Sequence, residues 1–369
     1  NLTETVVANA SAGVLVRGAF NGTDVVFNDA YRGVSVMGGA AEVSGMEAHR
    51  MDYEAIYVAS GTLHANDVLA REVAVGLANH GQSNLTDLTV QEAGVGVQSQ
   101  AGSMNLSGLN VHNASVGFAT VAGASTVLNT FTGSGLALAI DAGNADDFSL
   151  GNENTLSGER FLVGQAVSSM DLQGVSFTAS GVDTRPVMDV RCDGTCRLTQ
   201  SAFDGPQVGL SWSGPGTSVM DNVAVNAVQQ AVEASGSGHA DWANLTVAAS
   251  ERVLTVQTPS SSIANVAVHL NSDDGRGIDV LGGEHVWSNI TAEKAFVSSD
   301  RTSIGLNAWY SHITVDQMTL RNFSTGAVLE DSAVMAQSVE ANVGSLVGVH
   351  LIDASLVGSD LTTVVQEEG

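Results

Sequence analysis

The sequence predicts an all-β protein, a single-stranded right-handed parallel β-helix (β-solenoid) of about 16 coils with roughly 20-residue repeats. Two observations carry this expectation. An apolar pulse returns about every 19 to 22 residues along the chain, and each pulse alternates apolar with small or polar residues over four or five positions, the period-two pattern of a strand with one buried face.

The pulses run in order through Ala12–Val16, Arg32–Val36, Glu54–Val58, Val73–Leu77, Ala93–Val97 and Ser115–Phe118. They continue through Gly135–Leu138, Pro186–Val190, Val208–Leu210, Ala231–Glu233, Arg252–Val256, Gly277–Val280, Gly326–Leu329 and Leu346–Val349. Many are entered through a glycine (Gly13, Gly33, Gly94, Gly135, Gly277, Gly326), which reads as a corner taken at positive φ. Between pulses lie second short strands such as Val25–Phe27, Leu88–Val90, Leu109–Val111, Leu245–Val247 and Asn265–Val268. Units this small cannot enclose a core and must stack on their copies. Asn84–Val97 and Asn105–Phe118 align without a gap, one coil followed by the next. A β-propeller or a leucine-rich repeat would need blade-length periods with aromatic signatures or a Leu-x-x-Leu-x-Leu frame, and neither is present. The expected domain is one continuous parallel β-helix over residues 1–369, with loop excursions near 141–158, 192–196, 271–276 and 298–313, where the cadence loosens.

On these repeats the chain resembles the right-handed parallel β-helix proteins of pectin-lyase-like architecture, found in pectin-degrading enzymes, carbohydrate-binding domains and many prokaryotic surface proteins. The resemblance is architectural and implies fold rather than activity.

The chain has 39 acidic residues against 13 basic ones, a net charge of −26, with Lys294 the single lysine. That balance makes nucleic acid and anionic membranes poor partners. It fits a salt-loving or marine prokaryotic source, or simply an acidic secreted protein. No run of about 18 apolar residues is available to span a membrane. The chain opens on Asn1, which fits a processed product or a segment of something longer.

Nine Asn-x-Ser/Thr triplets begin at Asn1, Asn9, Asn21, Asn84, Asn105, Asn113, Asn244, Asn289 and Asn322. They read either as N-glycosylation acceptors or as the Asn and Thr that β-helix corners use. Where the middle residue is apolar, as at 84, 105, 244, 289 and 322, alternation sends the flanking Asn and Ser/Thr outward. The two cysteines, Cys192 and Cys196, flank a glycine turn and suit a disulfide in an oxidising compartment, with free thiols as the alternative.

A glycosidase needs facing carboxylates, and a polysaccharide lyase needs a basic group with a cation. The acids gather as Asp141 with Asp146 and Asp147, Asp189 with Asp193 (near Arg185, Arg191 and Arg197), and Asp273 with Asp274 and Asp279. None completes a catalytic frame, and no cofactor is implied. Asp273, Asp274 and Asp279 offer hard oxygen ligands for a structural calcium but lack the order of an EF-type loop. The nine histidines show no metal-binding frame and read as corner or surface residues. Trp212, Trp242, Trp287 and Trp309 are either sheet-surface or loop fillers or sugar-stacking residues of a groove. The expected protein is therefore a non-enzymatic extracellular or cell-surface structural protein, glycosylated and self-assembling head-to-tail as a homo-oligomer or filament. The alternative is a polysaccharide-binding or polysaccharide-degrading β-helix.

Overall fold

The computed structural model describes residues 1–295, 302–343 and 347–365, so the pulse at 346–349 and the excursion at 298–313 lie partly outside the described residues. The chain is a parallel β-solenoid of about 16 turns with ~22 residues per turn and 78% strand, without helix among the described residues. It divides into two compact units, Asn1–Gly181 and Val182–Gly369.

In the first unit a whole turn is close to one bent strand: Ala40–Val58, Thr62–Asn79, Gln82–Ser99 and Gly102–Thr120 lie parallel in register. Inward positions stack in columns along the coils. Val43, Ala65, Leu85 and Leu106 form one column; Met46, Val68, Leu88, Leu109 and Phe131 another; Ile56, Leu77, Val97, Phe118 and Ile140 a third. All of these are buried. Each large aliphatic side chain so removed from water is worth about 1.5–3 kcal/mol, and each column exists only because the next coil supplies its floor.

The corners are turned differently from the expectation. Of the pulse glycines, Gly135 has a φ of +65°, while Gly13, Gly33, Gly94 and Gly277 are not in the left-handed region. They are glycines because a Cβ would collide with neighbouring coils: that of Gly33 would sit 2.4 Å from the Ala55 carbonyl oxygen and that of Gly13 2.3 Å from the Phe27 ring. The left-handed corners fall largely to Asn, Asp and Glu. One row runs Asp24, Gly45, Asp67, Asp87, Gly108 and a second runs Asp29, Arg50, Glu72, Glu92, Asn113, Gly135, all at positive φ. Short polar side chains tolerate this conformation because they bond locally. Part of the acidity is thus corner chemistry. On the exposed second row, the Arg50 guanidinium grips Asp29 at 2.7 and 2.8 Å and holds its carboxyl below the ordinary value.

After the long strand Pro186–Asp204, the second unit splits its turns into a short and a long strand, for example Arg252–Gln257 and Ser260–Leu270, then Arg276–Leu281 and Glu284–Lys294. Its corner row Asn222, Asn244, Asn265, Asn289 is again left-handed. Asn289 Nδ2 donates to Asn265 Oδ1 (2.9 Å), Asn265 to Asn244 (3.1 Å) and Asn244 to Asp221 (2.7 Å), a ladder running from coil to coil.

Within 141–158, Asp141 pairs with Ala119 and Asp147 with Ser125 across a turn at 144–146, a second break falls at 151–153, and pairing with the following coil shifts register between Asp141 and Gly143. Residues 192–196 belong to the strand Pro186–Asp204; Arg191 pairs with Ser213 and Thr195 with Thr217 at equal spacing. The cadence loosened in both places because a corner consumed polar residues. Residues 271–275 form a loop between Ser260–Leu270 and Arg276–Leu281. In 298–313, residues Ile304–Trp309 are strand.

The tryptophans depart most clearly from the surface role. Trp212, Trp242 and Trp287 are buried in the core, and Trp309 alone is half-exposed. Trp242 Nε1 donates to Ser218 Oγ in the preceding coil (3.1 Å), and Trp287 Nε1 donates to Ser261 Oγ in the same way (2.9 Å). His285 is also internal rather than at the surface. With Nε2 donating to the Gly282 carbonyl (2.6 Å), its Nδ1 accepts from Ser261 Oγ (2.9 Å), and the chain Trp287 to Ser261 to His285 to Gly282 is satisfied with a neutral imidazole. Burial, and secondarily the nearby His239, pushes the His285 pKa below its ordinary 6.5 although the Gly282 bond opposes this. The unfolded chain therefore binds a proton that the folded one refuses, so the stability due to His285 is complete above about pH 6.5 and is lost as pH falls toward the lowered folded value. A denaturation series between about pH 5 and 7 should show this loss, above the range where carboxylates titrate, and His285→Gln should flatten it. An unchanged slope in His285→Gln would assign the effect elsewhere.

Candidate functional site

The sequons sit on the outer faces. Asn1, Asn9, Asn21, Asn84, Asn105, Asn113, Asn244 and Asn289 are exposed, while Asn322 is half-buried. Alternation places Leu85, Leu106, Leu245 and Ile290 inward, with Thr86 and Thr246 exposed and Ser107 and Thr291 partly so. Asn322-Phe323-Ser324 departs from the pattern: Ser324 is buried and bonds to Ser303, and Asn322 Nδ2 donates to the Lys294 carbonyl (3.2 Å). Asn9, Asn113, Asn244, Asn289 and Asn322 occupy left-handed corners, so backbone geometry alone already accounts for asparagine there.

Cys192 and Cys196 form a disulfide with Cα atoms 6.0 Å apart. Four extended residues would span about 13 Å, so the bridge closes a tight corner, and both sulfurs are buried.

The acidic groups do not converge. Asp141 and Asp146 accept backbone N–H groups from Gly143 (3.1 Å) and Gly123 (2.8 Å) as turn caps. Asp193 pairs with Arg191 at 3.2 Å and Asp183 with Arg185 at 2.6 Å. The calcium candidates separate as well. Asp273 faces the buried ammonium of Lys294 at 3.2 Å, whereas Asp279 lies on the strand Arg276–Leu281 among arginines. No group of three or more potential metal ligands occurs among the described residues.

What the fold does assemble is a cleft on the outer face of three short strands of the second unit, Arg252–Gln257, Arg276–Leu281 and Ile304–Trp309. Register aligns Arg252 with Arg276, Thr255 with Asp279 and Asn307, and Leu281 with Trp309. The row Thr255, Asp279, Asn307 forms the floor, the two arginines one rim, and Gln257, Leu281 and Trp309 the other, around about 220 Å³. Asp279 Oδ1 accepts from Asn307 Nδ2 (2.7 Å) and Arg276 Nη1 (3.2 Å), and Arg252 Nε stands 3.9 Å from Oδ2. The Arg276 guanidinium lies 5.8 Å from the Trp309 ring centroid.

Trp309 and Asp279 stand out in the sequence, but Arg252, Thr255 and Asn307 do not. The signal was present: aligning Arg252-Val253-Leu254-Thr255-Val256 with Arg276-Gly277-Ile278-Asp279-Val280 puts arginine and an outward polar residue at matching positions of successive pulses. A second cluster, in the first unit, stacks Tyr31 on Tyr53 (centroids 5.4 Å apart), with Arg32 over Tyr57 at 4.4 Å and paired to Glu54.

Fold and faces together define a parallel β-solenoid repeat protein. Comparison with protein-family models finds no match, and none of the curated proteins is similar to the chain.

Proposed function

We propose that the chain is a non-enzymatic extracellular structural protein, a glycosylated β-helical segment of a cell-surface layer, sheath or filament. The observation that carries this reading is the outward placement of eight sequon asparagines, four of which (Asn84, Asn105, Asn244 and Asn289) precede a large aliphatic side chain in the core. An Asn glycosylated at Nδ2 keeps one N–H, so Asn244 and Asn289 can carry a sugar and still donate to their corner ladder. End-to-end association of copies belongs to the same reading.

Secretion from an N-glycosylating host followed by peptide mass spectrometry is expected to find sugar at several exposed sequons and less at Asn322, which is half-buried. Sedimentation of the same material should show species larger than one chain. Bare polypeptide at all nine sites, sedimenting as a monomer in high salt and calcium, would sink the proposal.

A second reading, a polysaccharide-binding β-helix, is favoured by the cleft. The cleft does not support hydrolysis, which takes two carboxyl groups across the bond: Asp279 is its single carboxylate, already engaged by Asn307 and Arg276.

A further inference from the structure

We propose that the cleft bounded by Arg252, Arg276, Asp279, Asn307 and Trp309 binds a single ring bearing a carboxylate. This deepens the second reading and is independent of glycosylation.

The size sets the class. At about 220 Å³ the space lies below the roughly 300–1,000 Å³ of pockets for drug-sized molecules, and it accommodates one ring rather than a chain of them.

The charge sets the pole. In a protein of net charge −26, this cleft is lined by two guanidinium groups and one carboxylate, a local excess of positive charge. Asp279, nearly buried, takes one hydrogen bond from Arg276 and stands 3.9 Å from Arg252. It holds Arg276 directly and lies beside Arg252, leaving most of their five N–H donors apiece for an anion. A planar carboxylate matches that fork in a bidentate manner.

The remaining lining favours a ring. Trp309 and Leu281 are 38% and 43% exposed, an apolar shelf beside the arginines, in a chain whose other three tryptophans are buried. Thr255 is 1% exposed and lines the floor, and its Oγ1 has no hydrogen-bond partner among the described residues. A buried hydroxyl left unpaired is costly, and a ligand hydroxyl or carboxylate reaching the floor would satisfy it. Gln257 adds a further polar group at the rim.

A ring acid can be a sugar acid or an aromatic acid, and Trp309 provides the readout for both. As the only half-exposed tryptophan, it dominates quenching by acrylamide in the native protein. Titration with glucuronate, 4-hydroxybenzoate, glucose and acetate should give saturable shielding by at least one ring acid, with glucose and acetate about tenfold weaker or worse. The variant R252Q/R276Q, on the exposed rim, should weaken the ring acid by at least about tenfold with an unchanged circular dichroism spectrum. Whichever of glucuronate and 4-hydroxybenzoate binds more tightly identifies the source. Glucose shielding as well as glucuronate would overturn the carboxylate inference and leave saccharide binding standing. Acetate matching the ring acids, or no shielding by any of them, would overturn the site itself.

Discussion

Trp242→Ala is expected to cost about 3–5 kcal/mol, the range for deleting a large buried aromatic. Trp242 is fully buried, its ring fills the coil interior, and its Nε1 holds Ser218 of the preceding coil. Two losses add: the contacts around the vacated space, and the bond that satisfies the buried Ser218 hydroxyl. Because each coil supports its neighbours, the damage should spread along the stack. Hydrogen exchange should quicken in Thr217–Asn226 and Ser260–Leu270, the strands pairing with His239–Ala249 on either side. Trp309→Ala serves as the comparison, since that side chain is half-exposed and supports no column. Equal losses in the two variants, measured by denaturant unfolding, would refute this account of the core.

Gly102→Ala should cost about 2–4 kcal/mol, from a non-glycine residue forced to positive φ and from overpacking. Its φ is +73°, and an added Cβ would stand 2.0 Å from the Gly81 carbonyl oxygen. That oxygen accepts the Ser103 N–H at 3.0 Å, so the obstacle is backbone that cannot swing aside without parting the two coils. Gly123 separates the two causes. Its φ is +83° and nothing lies within 4 Å of its Cβ position, so Gly123→Ala carries only the conformational part, about 1–2 kcal/mol. If thermal or denaturant unfolding gave the two variants the same loss, close coil packing would not be the reason for Gly102.

These two substitutions mark where reading the chain alone succeeded and where it stopped. The register of Asn84–Val97 on Asn105–Phe118 was legible because stacking repeats a column residue for residue. Glycines and corners were not. Gly33 and Gly135 look alike in the sequence, yet one avoids a carbonyl on the next coil and the other adopts a left-handed turn. That distinction depends on an atom in another repeat. The same holds for His285, whose partner Ser261 lies in the preceding coil and meets it only when coils stack.

For the cleft, the pulse alignment contained Arg252 above Arg276, but the outward row Thr255, Asp279, Asn307 crosses a loop at 271–275 and a longer insertion before Ile304. Variable spacing hid a row that hydrogen bonding across the strands restores. The converse holds for two of the aspartates weighed for calcium: Asp273 and Asp279 are close in sequence, but Asp273 faces Lys294 and Asp279 the arginines.

The sequence by itself determined the parallel β-solenoid, its period and the inward-facing columns, because a period of two within each strand and about twenty between strands leaves few other ways to bury the same side chains. The tertiary structure alone decided which glycines turn and which make room, that three of the four tryptophans are core, and that two arginines, an aspartate and a tryptophan share one cleft. Those are relations between coils, fixed by hydrogen-bonded register and close contact, and a linear chain carries no distance between its repeats.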